Sequence, residues 1–297
     1  MIRTLCFVLV AVVVVQSAVT QPAKAQFPIP TLPEPIVPFV EDFKQGLANF
    51  GGGPDELPSD LGDGDLVIAP TGGVGNSSLL TTSHALSENQ GVVFRAEAIL
   101  GSSGSAFTGD WIAAGVNRLS AFVTHDAPVP LNISFRIATQ TPSFFTDNFP
   151  GAFILNVADV VPNTLTPITA DIDSTNIFDP ANFQFGDIGF LEGSGDFNSL
   201  FSDVTNIQVI VGVGDGFEEL TQELIDAGAA PAGASLGDVF AVDTSGVFVG
   251  DAVFNLADEF NFGLDNLALA GIPEPGTAML LTTASLVALV PNRRRPG

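Results

Sequence analysis

Leu131-Asn132-Ile133-Ser134-Phe135-Arg136-Ile137 alternates apolar and polar residues without a break. A period of two sends successive side chains to opposite faces of a strand. This stretch therefore predicts Leu131, Ile133, Phe135 and Ile137 in a core, with Asn132, Ser134 and Arg136 on the other side. Weaker versions of the pattern lie at residues 92–100, 119–125, 152–157, 207–213, 247–254 and 260–269. Seven such runs separated by Gly, Asn, Asp, Ser and Pro predict an all-β domain, an antiparallel β-sandwich over residues 39–271. One segment departs from the pattern. Residues 217–227 place Leu220, Leu224 and Ile225 inside Glu218, Glu219, Glu223 and Asp226, which predicts one short amphipathic helix inserted between strands, with acids favouring its first turn.

Charge narrows the range of partners. All 33 acidic residues lie between Glu34 and Glu274, where only Lys44, Arg95, Arg118 and Arg136 are basic, so 29 negative charges are uncompensated. Nucleic acid is excluded as a partner, because phosphate binding depends on clustered Lys and Arg that release counterions. The one cysteine, Cys6, falls near the N-terminus, leaving the body of the chain without thiols for a disulfide framework. Packing must hold it. The aromatics are 25 Phe, Trp111 and no Tyr, a set suited to filling a core.

Both ends differ from this body. Residues 1–25 carry Arg3, the apolar run Leu5 to Val15 and then Ala23-Lys24-Ala25, the three parts of a cleavable secretion signal. Ala23 and Ala25 suit the narrow cleft of signal peptidase, and cleavage is expected between Ala25 and Gln26. Residues 26–38 contain five prolines and predict a stiff polyproline-like leader. At the other end stand Ile272-Pro273-Glu274-Pro275, an apolar stretch over residues 278–290 and Asn292-Arg293-Arg294-Arg295. As a helix that stretch would measure about 20 Å, short of a hydrocarbon layer of about 30 Å. It suits a transient transmembrane helix better than a lasting anchor. The arginines are expected on the cytoplasmic side, which puts everything before Pro273 outside the inner membrane.

Residues 272–297, in the order Pro273-Glu274-Pro275, short span and arginine cluster, resemble a PEP-CTERM sorting tail. The resemblance covers about 25 of the 297 residues and is paired with the N-terminal signal. It implies a Gram-negative bacterium, recognition by an exosortase, passage through an inner-membrane intermediate, and delivery to the outer surface or the extracellular polysaccharide. The body resembles, more loosely, jelly-roll domains of the galactose-binding or carbohydrate-binding-module kind. Residues 39–43 (Phe-Val-Glu-Asp-Phe) look like the first strand of such domains, and residues 262–269 (Phe-Gly-Leu-Asp-Asn-Leu-Ala-Leu) look like the last. That likeness implies that the last strand returns beside the first and that a structural Ca²⁺ is held there.

Candidate chemistry follows from these placements. Glu41, Asp42 and Asp265 are the candidate calcium ligands, since a hard cation takes carboxylate and carbonyl oxygens. Asp60, Asp63 and Asp65 fail the spacing of an EF-hand, as do Asp171 and Asp173, and both segments read as turns. Trp111 with Arg118 or Arg136 would offer a sugar a stacking face and a donor. His84 and His125 have no Gly-x-Ser-x-Gly elbow beside them, so no nucleophilic site is expected. Residues 212–216 are glycine-rich without a lysine and read as a turn. The expected role is non-enzymatic: a surface or extracellular-matrix protein that touches polysaccharide. An exported polysaccharide-active enzyme would need two convergent carboxylates in a cleft, and a protein-binding adhesin would need an exposed apolar patch.

Overall fold

The computed structural model describes residues 35–52, 66–87, 92–97, 101–139, 151–179, 184, 186–190 and 195–271. The expected signal, most of the proline-rich leader, the segment containing Asp60, Asp63 and Asp65, and the expected sorting tail with Pro273, Glu274 and Pro275 lie outside the described residues. So do Ala23 and Ala25.

The strands in chain order are β1 (Phe39–Glu41), β2 (Gly51–Gly52), β3 (Val67–Ala69), β4 (Leu79–Ala85), β5 (Val92–Glu97), β6 (Val116–His125), β7 (Leu131–Ala138), β8 (Gly151–Val160), β9 (Thr166–Asp171) and β10 (Ile188–Phe190). After helix α1 (Phe197–Phe201) come β11 (Asn206–Val213) and β12 (Phe217–Glu219). Helix α2 (Gln222–Asp226), β13 (Asp238–Val242), β14 (Phe248–Asn255) and β15 (Glu259–Gly271) follow. The chain is mostly β, and the ladders between these strands are antiparallel. Among the described residues, no helix is long and apolar enough to cross a membrane.

One six-stranded sheet runs β3-β4-β15-β6-β9, with β1 also on β15; a second runs β10-β8-β7-β11-β5-β2; a three-stranded sheet runs β12-β13-β14. β6 occupies one edge of β15 along most of its length, so β4 and β1 share the other edge end to end. Inward residues of the two large sheets meet in one core, Leu119, Val123 and Leu264 from the first and Ile133, Phe135 and Val209 from the second. This makes the arrangement sandwich-like. Truncating a fully buried member such as Phe135 to Ala would cost about 3–5 kcal/mol.

The alternation that predicted β7 holds on the core side: Leu131, Ile133, Phe135 and Ile137 are all fully buried. The expected helix over residues 217–227 is corrected. Phe217–Glu219 is a strand on β13, and α2 spans only Gln222–Asp226. Thr221 divides them, keeping an extended backbone while its hydroxyl accepts the Leu224 N–H at 3.4 Å, as an N-cap residue does. α1 was not expected; Asp196 caps it by accepting the Ser199 N–H at 2.8 Å, and Leu200 and Phe201 bury its inner side.

Candidate functional site

The strand register sets up a row of side chains on the face of the second sheet that points away from the core. Arg95 on β5 stands opposite Gln208 on β11, Gln208 opposite Arg136 on β7, and Arg136 opposite Phe153 on β8. Their strand neighbours Phe94, Val209, Phe135 and Ile154 point the other way and are buried in the core. The row is nonetheless shielded: Arg95, Gln208 and Arg136 are 5%, 4% and 6% exposed. The Arg136 guanidinium carbon sits 5.4 Å from the centre of the half-buried Phe153 ring, a cation–π distance. Gln208 Oε1 is buried and has no hydrogen-bond partner.

Asn132 and Asp159 lie on the same face further along, opposite one another on β7 and β8. Burial, and then the charge of Asp215, push the Asp159 carboxyl above its usual range. Asp203 is raised in the same way, by burial first and by Asp110 second. Asp159, Asp215 and Asp203 are all exposed, so neither pair sits in a shielded cleft.

The sugar-stacking role expected of Trp111 is corrected by its burial. The indole is fully enclosed, its Nε1 donates to the Phe107 carbonyl at 2.9 Å, and its ring packs on Phe201 with centres 5.8 Å apart. A large aromatic here fills the core and offers no face to a ligand. Arg118 is on the surface of the first sheet, where its Nε donates to Asp171 at 3.0 Å. The structure therefore keeps Trp111 and Arg118 apart in role, and it is Arg136 that takes a position beside an aromatic ring.

β1 and β15 do pair, as Phe39 with Leu269 and Glu41 with Leu267. Continuing that register by two residues brings Asp265 opposite Phe43, not opposite Glu41 or Asp42. Glu41 instead accepts from the Phe43 N–H at 2.9 Å and the Ser103 hydroxyl at 2.8 Å. Asp42 pairs with Lys44, which holds its carboxyl below the usual range. Asp265 is completely buried, at a bulge where Asn266 adopts a positive φ of 48°. Its carboxylate accepts from the Val74 N–H at 2.7 Å, the Asn266 N–H at 2.8 Å and the Ser77 hydroxyl at 3.2 Å. The three candidate calcium ligands thus turn their lone pairs toward separate protein donors. Among the described residues, no group of three or more His, Cys, Asp or Glu is placed to hold a metal ion.

Sequence reading placed Arg136 on the polar face of its strand but missed Arg95 and Gln208 as its neighbours. The run Val92-Val93-Phe94-Arg95-Ala96 is too apolar to show which face Arg95 takes, and a bulge in the β5–β11 ladder after Val209 resets the alternation. No family model, no curated protein and no solved structure matches this chain.

Proposed function

We propose that the chain is an exported, non-enzymatic protein of the cell surface or extracellular polysaccharide matrix, and that it binds glycan on the outer face of its second sheet. The observation that carries this reading is the row Arg95–Gln208–Arg136 beside Phe153. Polar side chains aligned across three strands next to a half-buried ring combine donors and an acceptor with an apolar wall, the mixture that ligand pockets use. We read the two large sheets, with the first strand laid along the last, as a jelly roll.

Export by signal peptidase and sorting by an exosortase rest on the two ends of the sequence, with Pro273-Glu274-Pro275 as the sorting motif. Replacing Arg293, Arg294 and Arg295 by Ala should then change where the protein accumulates, checked by fractionating cells with an antibody to the chain.

A polysaccharide-active enzyme is the competing reading, and Asp159 beside Asp215 is the observation in its favour. Both carboxylates face solvent, whereas acid–base chemistry on a glycosidic bond needs a pair flanking that bond in a cleft. A glycan-array screen of the exported chain, with calcium and again with chelator, separates these readings when joined to a reducing-sugar assay. Binding without release of reducing ends is the expected result. Silence on every glycan in both conditions would sink the binding role.

A further inference from the structure

Four bases stand among the 33 acids between Glu34 and Glu274, and two of them, Arg95 and Arg136, are buried. The two exposed ones, Lys44 and Arg118, both border the outer face of the first sheet, where β1, β15, β6 and β9 lie side by side. The register sets out a row Val40–Ala268–Ser120–Thr169 across these four strands. Ala270, Arg118 and Asp171 flank it on one side, Phe122 and Pro167 on the other. Leu269, Leu119 and Ala170 point the opposite way and are buried in the core. On the outer face Val40 is 55% exposed, Thr169 and Pro167 are exposed, and Ala268, Ser120 and Phe122 are half-buried. Each bordering base carries its own acid: Arg118 donates to Asp171 at 3.0 Å, and Lys44, three residues beyond β1, pairs with Asp42.

These rows carry no net charge, on a body with 29 uncompensated negative charges. A cationic partner would choose the acidic remainder of the surface. A neutral face suits a partner as acidic as the chain itself, because two such bodies repel least where neither presents excess charge. The side chains are small and flat, which lets two sheets stack face to face at about 10 Å. An isologous contact also needs a self-complementary surface, and the two ion pairs give each border both signs, so a base of one copy meets an acid of the other. We infer that the outer face of the first sheet is a self-association surface, on which a second copy of this chain stacks about a two-fold axis. Four strands at about 4.8 Å spacing, each about five residues long, present about 300 Å² in projection, against about 800 Å² per partner in a standard interface. The dimer is therefore weak and concentration-dependent. It is independent of the glycan reading, which uses the other large sheet.

Sedimentation equilibrium of the full exported chain, from about 1 µM to about 1 mM, tests this directly. A monomer–dimer equilibrium is expected. Raising the salt from about 0.01 M to about 0.5 M should tighten it several-fold, because screening removes the repulsion between the two acidic bodies. Val40→Glu changes a side chain that is exposed in the monomer, so the urea midpoint of dilute protein should stay in place. In the dimer it adds like charges to the interface and should raise the dissociation constant about tenfold or more. Val249→Glu on β14, at a residue 50% exposed, adds the same charge elsewhere and should leave the constant within about twofold. Monomer at every concentration in both salts would overturn the inference. A dimer that weakens as salt rises would overturn the neutral face as its cause. Equal effects of Val40→Glu and Val249→Glu would show that net charge, and not this face, governs association, and would overturn it as well.

Discussion

Asp265 on the first sheet and Gln208 on the second are both polar, both buried and both inside long strands, yet they are satisfied differently. Asp265 receives two backbone N–H groups and a hydroxyl from the chain itself. Gln208 Oε1 receives nothing. A buried polar atom is nearly always paired, so one whose partners are all internal belongs to the architecture, and one left open marks a place where something else can supply the bond. The bulge at Asp265–Asn266 shows the first case. It turns the carboxylate toward the 3₁₀ turn at Val74–Asn76 and fastens that turn to the last strand.

The largest effect that sharpens this contrast is expected from Asp265→Ala. It strands the Val74 and Asn266 N–H groups and should lower unfolding stability by about 3 kcal/mol, read from urea denaturation. A loss below about 1 kcal/mol would show that the turn holds itself.

Gly73→Ala comes next. A Cβ there would clash with the Ser78 carbonyl oxygen and fall 2.5 Å from Asp265 Oδ2, so the backbone must shift. About 2 kcal/mol is expected, by the usual cost of overpacking, together with a lower thermal midpoint. Were Gly73→Ala as stable as the native chain, the close seating of the turn on Asp265 would not be needed.

His125 stands between the two cases. Its Nε2–H donates to the Val160 carbonyl at 2.8 Å, while Nδ1 is buried without a partner. Burial holds the imidazole below its ordinary pKa, against the Val160 hydrogen bond and the charge of Asp126. The unfolded chain takes up a proton near pH 6.5 while the folded ring resists it. The stability this neutral ring contributes is therefore complete above that pH and shrinks as the pH falls toward the folded pKa. Relative to His125→Gln, the native chain should lose stability more steeply between about pH 7.5 and about pH 5.5. Parallel curves for the two would remove His125 as the cause. The smallest change in stability belongs to Gln208→Leu, whose effect should appear in glycan binding alone.

Much of this was legible along the chain. Alternation in residues 131–137 marked β7, its core face and the outward placing of Arg136, because side-chain direction in a strand is a local, period-two property. The Asp-Asn step at 265–266 stood out as a strand feature, and β15 does return beside β1. β4 and β9 were missed, since Leu-Leu-Thr-Thr-Ser-His-Ala and Thr-Pro-Ile-Thr-Ala-Asp lack clean alternation and gain their order from β15 and β6 beside them. Residues 217–219 carry a helical pattern of acids, but pairing with β13 outweighs that propensity.

The amino-acid order by itself determined an acidic, thiol-free body built of short strands, and which side of β7 faces the core. Only the tertiary structure decided that Arg95, Gln208 and Arg136, drawn from three distant stretches, share one row, that Trp111 is enclosed, and that Asp265 meets Val74 and Ser77 in place of Glu41. Strand partners and register come from packing between segments far apart in the chain, and a shift of one residue would have turned each of these side chains to the opposite face.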